Sequence, residues 1–229
     1  MSSGLPLIVT RPEPGNSATI ARAAVLGLDA QAMPLFAAQA IAWTAPPQAD
    51  FDALLLTSAQ AVRLAGPQLA LLAALPVYAV GTATADAAHE ARLTVAQTGA
   101  AGAQCLLDAM TSAKMARILW LCGRDRSALD PRGAALEPLA CYAVEPVDPP
   151  RAWTQLTAAP AVLLAHSVRA ARRICDLVGR DRAHLALVAI SPAVAAAAGE
   201  GWGELAAVAQ PTDAGMLALA YSLCHKGGK

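Results

Sequence analysis

Short runs of Val, Leu and Ala recur along the chain at residues 5–10, 51–57, 77–80, 118–121, 161–165 and 185–190, separated by Ala-rich stretches of helical composition. Because these runs are continuously apolar rather than alternating, they predict parallel strands covered on both faces, with the intervening stretches as the covering helices. Most runs end in small or polar residues that open the next stretch: Thr57-Ser58, Gly81-Thr82, His166-Ser167 and Ser191-Pro192. In that position they are helix N-caps at strand C-terminal ends. That is the edge where open α/β sheets take ligands.

Sliding the sequence against itself reveals an internal repeat of about half the chain length. Ala53-Leu-Leu-Leu matches Ala161-Val-Leu-Leu, Tyr78-Ala-Val-Gly matches Val188-Ala-Ile-Ser, and Ala83-Thr-Ala matches Ala193-Val-Ala. Further on, the segment from Val95 to Gly102 matches that from Val208 to Gly215. The blocks keep their order, which predicts two similar α/β units. Before the first unit lie a strand at 5–10, a helix at 17–26 stopped by Gly27, and a strand near 31–36. Residues 38–50, with Trp43 and Pro46-Pro47, and 141–150, ending Pro149-Pro150, read as linkers. The expected organisation is a discontinuous α/β domain of residues 1–37 and 151–229, with residues 51–140 inserted as a second α/β domain.

Composition narrows the function classes. Seventeen basic and seventeen acidic residues cancel, so no overall field draws the chain to nucleic acid or an anionic membrane. Any anionic ligand must therefore be met by local groups. The five cysteines are widely spaced, without a CxxC or a Cys/His ligand pairing. This reads as reduced, mostly buried thiols in a cytoplasmic protein, with no disulfide framework and no metal site. Charged residues, Gly or Pro interrupt every apolar run before it reaches the length of a membrane span, and the N-terminal sequence lacks the features of an export signal.

No GxSxG, P-loop, HExxH or GxGxxG motif is present, and the four histidines lack metal-binding spacing. The remaining candidate chemistry is a set of hydroxyls and backbone N–H groups at strand ends: Ser58, Gly81, Thr82, Thr84, His166, Ser167 and Ser191. Helix N-termini there suit carboxylate or phosphate. Arg11, in Val-Thr-Arg-Pro, and Arg124 and Arg126, in Cys-Gly-Arg-Asp-Arg, follow strands toward the same edge and suit carboxylates. Solvated surface arginines and simple caps are the alternative reading of these residues.

In order along the chain come Val9-Thr-Arg-Pro, Leu56-Thr-Ser, Ala79-Val-Gly-Thr-Ala-Thr-Ala, a Gly123-Arg strand end, a strand carrying Tyr142, and Ala189-Ile-Ser-Pro-Ala. This order resembles the uroporphyrinogen-III synthase family over nearly the whole chain. The resemblance implies two flavodoxin-like parallel-sheet domains, one inserted into the other, joined by a two-stranded linker with the active site between them. It also implies an enzyme that needs no cofactor and takes hydroxymethylbilane, a linear tetrapyrrole with eight carboxylates. Such an enzyme promotes loss of the terminal hydroxyl, inverts ring D through a spiro intermediate and closes the macrocycle to uroporphyrinogen III. The family's tyrosine matches Tyr142, which the resemblance casts as proton or hydrogen-bond donor to the departing hydroxyl. Its glycine-threonine motif matches Gly81 and Thr84, and its strand-end serines match Ser58 and Ser167. Two departures stand out. Ala193-Val194 replaces a Thr-Thr pair, and the stretch from Gly123 to Tyr142 is short, with Asp130-Pro131 where a longer helix is expected.

Two rival readings share the α/β pattern. A two-domain binding protein would clamp an anionic small molecule without reacting it. A receiver-like regulatory module would need acids clustered at strand ends, and the chain has none there. The expected state is a cytoplasmic monomer.

Overall fold

The computed structural model describes residues 4–226. In chain order its first elements are β1 (Leu7–Val9), α1 (Gly15–Val25), β2 (Ala30–Ala32), β3 (Phe36–Ala40) and β4 (Ala53–Leu56). Next come α2 (Ala59–Leu64), β5 (Val77–Val80), α3 (Thr82–Glu90), β6 (Val95–Gly99), α4 (Ala103–Ser112), β7 (Arg117–Gly123) and β8 (Ala135–Pro146). The remainder are α5 (Trp153–Thr157), β9 (Ala161–Ala165), α6 (Val168–Val178), β10 (Leu185–Ala189), α7 (Pro192–Ala198), β11 (Glu204–Ala207) and α8 (Asp213–His225). Among the described residues no helix is long and apolar enough to cross a membrane.

The chain divides into two compact units: residues up to Ala37 together with those from Pro146 onward, and Ala38–Glu145. In the discontinuous unit a five-stranded sheet runs β11-β10-β9-β1-β2, every neighbouring pair parallel. Counted within the unit this is the order 2-1-3-4-5, the flavodoxin-like arrangement. Leu7 and Val9 of β1, with Val162 and Leu164 of β9, face Ala23 of α1 and Met216, Leu217 and Ala220 of α8. Ile8, Leu163 and Leu187 alternate to the opposite face, where α6 packs on β9 and α7 on β10. Helix α1 ends where Gly27 takes a φ of +72°, which lets Leu28 turn back to donate to the Ala23 carbonyl.

The inserted unit carries a six-stranded sheet ordered β3-β8-β7-β4-β5-β6, in which β4 to β8 pair in parallel. Leu54, Leu56, Leu119 and Leu121 pack against Ala61 and Val62 of α2 and Ala85 and Ala88 of α3. Leu55, Ile118, Trp120 and Cys122 pack against Leu106, Leu107 and Met110 of α4 on the other face. Leu54, Leu55, Leu56 and Leu119 are fully buried, and removing each from water contributes about 1.5–3 kcal/mol.

The two sheets share one spatial plan. β6-β5-β4-β7-β8 in the inserted unit corresponds to β11-β10-β9-β1-β2 in the discontinuous one, so the units are circular permutations of each other. The repeat visible in the sequence is the part the permutation leaves in register, β4 to β6 against β9 to β11. The segments expected as linkers carry structure: residues 38–50 hold the end of β3 and a 3-10 turn at Gln48–Asp50, and residues 141–150 begin inside β8. β8 is half exposed, with Glu137, Pro138 and Glu145 along it, so it lacks the apolar run that marks the other strands. Between β7 and β8 the short crossover at 124–134 contains no helix. Leu129 and Ala134 of that loop pack against the sheet where a helix would lie.

Candidate active site

Parallel strands put all their C-terminal ends on one edge of a sheet, and ligands favour the point where successive crossovers diverge. In the inserted unit this switch lies between β4 and β7; in the discontinuous unit it lies between β9 and β1. Sheet order then sets the sequence-nominated residues side by side. Along the first edge come Tyr142, Arg124, Ser58 and Gly81, and along the second Arg11, His166-Ser167 and Ser191.

At the inserted unit's switch the Trp120 indole N–H donates to the Thr57 hydroxyl at 3.0 Å, tying β7 to the end of β4. Ser58 is extended and caps α2, its Oγ accepting from the Gln60 N–H at 3.2 Å. A serine cap of this kind uses a lone pair, which leaves its O–H proton to offer to a ligand. Gly81 caps α3 with a φ of +79°, a conformation side chains resist. Its carbonyl accepts from the N–H groups of Thr84 and Ala85. Thr82 is exposed, whereas Thr84 is only 4% exposed and turns its side chain into the unit. Of the two, only Thr82 presents its side chain at the surface.

Arg124 and Arg126 are already engaged. Arg124 pairs with Glu145 at 2.6 Å, and its backbone N–H donates to the Tyr142 carbonyl at 2.8 Å. Arg126 donates to the Arg124 carbonyl at 3.2 Å and lies 5.7 Å from the centroid of the Trp120 ring. Both line a cavity of about 430 Å³ whose apolar walls are Trp120, Leu129, Pro131 and Leu136, in the space beside the helix-free crossover.

Tyr142 stands opposite Gly123, the last residue of β7, with the pairing register shifted by one residue just before it. The residue squeezed out is Cys141, fully buried, whose thiol donates to the Ala61 carbonyl at 3.4 Å. Burial pushes that thiol up to about 12, so it stays protonated and serves as a donor and packing group.

The discontinuous unit gathers its polar groups around a residue the sequence reading passed over, Asp213 at the start of α8. Its Oδ1 accepts from the Thr19 hydroxyl at 2.8 Å, from Arg11 at 3.4 Å and from His166 Nε2 at 3.1 Å, while Oδ2 accepts from Arg22 at 2.8 Å. Arg11, 32% exposed, also lies against Gly15, which leaves it room by lacking a side chain. Arg11 is thus held against Thr19 of α1 and Asp213 of α8 rather than standing free at the edge. Burial raises the Asp213 carboxyl, but hydrogen bonds from His166, Thr19 and Arg22 together outweigh it and hold the group below its ordinary range. Ser167 and Ser191 cap α6 and α7 through the N–H groups of Ala170 and Val194, at 3.1 and 3.4 Å. The available sequence signal for Asp213 was the repeat itself. It places Asp213 where the first copy has Ala100, an acid gained directly after a Thr cap.

Burial lowers the His166 imidazole, against the opposing pull of Asp213, and its Nδ1 is buried without a partner. A lowered folded-state value means that the unfolded chain takes up the proton first. Stability from this group is therefore complete above about 6.5, the ordinary value, and drains away as pH falls below it. His166→Gln is expected to flatten the fall of melting temperature on acidification from that point. A scan of both proteins in matched buffers checks it, and parallel curves would contradict it.

A family model described as uroporphyrinogen-III synthase HemD matches residues 17–218. The chain belongs to the uroporphyrinogen-III synthase family. It is therefore a member of a family of cyclising enzymes of tetrapyrrole biosynthesis. Among solved structures, uroporphyrinogen-III synthetase from Helicobacter pylori 26695 aligns at 17% identity over 96% of this chain and 99% of that chain, with a TM-score of 0.62. At that identity the likeness establishes the shared fold. A mutant uroporphyrinogen III synthase from the extremely thermophilic bacterium Thermus thermophilus aligns at 17% identity over 97% of this chain and 99% of that one, with a TM-score of 0.44. No curated protein sequence matches the chain significantly.

Proposed function

We propose that this chain converts hydroxymethylbilane to uroporphyrinogen III with Tyr142 as the donor to the departing hydroxyl. The observation that carries the assignment is the placement of Tyr142 at the C-terminal edge of the inserted sheet, in line with Arg124, Ser58 and Gly81 across the switch point. A phenol keeps its proton at neutral pH and can give a short hydrogen bond to an alcohol oxygen. As the C–O bond of the terminal hydroxymethyl group breaks, the phenol passes its proton to the leaving oxygen, which departs as water, and the proton that ring D loses on closure returns to the phenolate. The electron pair comes from the pyrrole bearing the group, so the protein needs no nucleophile. Ring inversion and closure follow within the substrate, and the remaining task is to hold the chain of rings in one orientation.

Hydroxyls and backbone N–H groups support that holding role. Ser58, Thr82, Ser167 and Ser191 each sit at a strand end with an O–H to offer a carboxylate, and Gly81 exposes the first N–H groups of α3. Arg11, Arg124 and Arg126 serve in this reading by keeping the edges electropositive from within their pairings, His166 as a neutral donor that orients Asp213, and Thr84 by supporting the turn from inside. Binding is then expected to weaken several-fold from low to high salt despite the chain's zero formal charge, because several carboxylates meet local donors. Titration of uroporphyrinogen under reducing conditions at increasing salt checks this. Affinity that is indifferent to salt would contradict it.

A further inference from the structure

Gly123 is a glycine for a reason different from that of Gly81. Gly81, just past β5, has positive φ and is required by its backbone, whereas Gly123, like Gly99 at the end of β6, is not among the positive-φ glycines. A methyl group added at Gly123 would stand 2.8 Å from Cζ of Tyr142, 3.0 Å from its hydroxyl oxygen and 3.1 Å from Cε2. The missing side chain is therefore filled by the reactive end of the Tyr142 ring.

The adjacent bulge explains how the ring comes to be there. Leu121 faces α2 and α3 and pairs with Leu139, while Cys122 faces α4 and pairs with Ala140. Strict alternation would next set Cys141 opposite Gly123 and send Tyr142 to the α4 face. The register shift between Cys122 and Gly123 makes Cys141 the extra residue, so Tyr142 takes the place opposite Gly123 and packs with the α2 and α3 side. Bulges re-aim a side chain at the cost of one unpaired residue. Here the Cys141 thiol donates to the Ala61 carbonyl, with the Cys122 carbonyl 3.7 Å from the sulfur.

We propose that Gly123 is a positioning residue for the reaction: with the bulge at Cys141, its bare Cα forms the seat that fixes where the Tyr142 hydroxyl stands. The inference rests on the reading of Tyr142 as the donor to the leaving hydroxyl. Because non-bonded carbons settle at about 3.5–4.0 Å, Gly123→Ala forces the ring end to move by roughly 0.7 Å or more. The backbone of Gly123 accepts alanine, so the ring is what yields. A shift of this size in a donor costs about tenfold to a hundredfold in turnover.

The test is a double-mutant cycle on the purified chain with hydroxymethylbilane as substrate, together with NMR of protein labelled at the tyrosine Cζ carbons. The chain has three tyrosines, so the Tyr142 signal is identified by its loss in Tyr142→Phe. Gly123→Ala is expected to lower kcat with KM little changed and to shift the Tyr142 signal. In the Tyr142→Phe background the same change should cost almost nothing further. Equal losses in both backgrounds would assign Gly123 an ordinary structural role and overturn the inference. Wild-type turnover in Gly123→Ala alongside a disabled Tyr142→Phe would overturn it while sparing the donor reading. Wild-type turnover in Tyr142→Phe would remove the donor reading and this inference with it. Should Gly123→Ala fail to fold, adding Tyr142→Leu, which removes the obstructing ring, must restore folding, and continued failure would overturn the proposed seat.

Discussion

Tyr142→Phe is expected to lower turnover by roughly tenfold to a thousandfold with little change in melting temperature. Phenylalanine keeps the ring that lies against Gly123 and packs with the α2 and α3 side of the inserted sheet, so the fold loses little. What disappears is a single O–H at the sheet edge. A hydroxide-like leaving group without a donor must depart closer to an anion, and that loss falls on the transition state rather than on substrate binding. The fall is accordingly expected in kcat with KM nearly constant, measured by initial rates over a range of hydroxymethylbilane. A loss of only a fewfold would mean that a water molecule or a carboxylate of the substrate supplies the proton.

Asp213→Ala is expected to destabilise the discontinuous unit by about 3 kcal/mol, because it removes the common acceptor of a partly buried polar cluster. The carboxylate side chain is 15% exposed and receives Thr19, Arg11, Arg22 and His166. Truncation leaves the Arg11 guanidinium without its counter-ion and the His166 N–H without an acceptor. Each orphaned partner adds to the loss. For a chain of this size the first thermal transition should fall by about 6–12 °C. Asp213→Asn keeps the shape and one acceptor oxygen, so its fall should be smaller. Equal melting temperatures for Ala and wild type would show that the cluster is solvated and contributes little.

Asp213 also shows where sequence reasoning stopped. Its partners Arg11 and Thr19 lie 202 and 194 residues away in the chain, and no local pattern announces a meeting at that distance. The strands were legible for the opposite reason. A buried parallel strand such as Ala161-Val-Leu-Leu-Ala must be apolar throughout, whatever lies elsewhere. Ser58, Ser167 and Ser191 were legible as caps because capping is a contact within one turn. β8 was not read as a full strand, since its pairing with β7 and its place beside β3 come from the tertiary fold while its own residues are half polar. Thr84 was nominated for its hydroxyl, yet helical phase turns it inward and leaves Thr82 at the surface. The Gly123-Arg124 motif was visible as a strand end. That the glycine leaves room for a tyrosine nineteen positions on is known only once the bulge sets the register.

The most direct test of the catalytic assignment is the isomer composition of the product. The purified chain is incubated with freshly prepared hydroxymethylbilane, the product is oxidised, and type I and type III uroporphyrin are resolved. Type I arises from spontaneous closure without ring inversion. The account predicts predominantly type III from the wild-type chain, with the type I share rising in Tyr142→Phe as enzymatic closure slows. Type I alone from the wild-type chain, at the rate of the protein-free control, would contradict it.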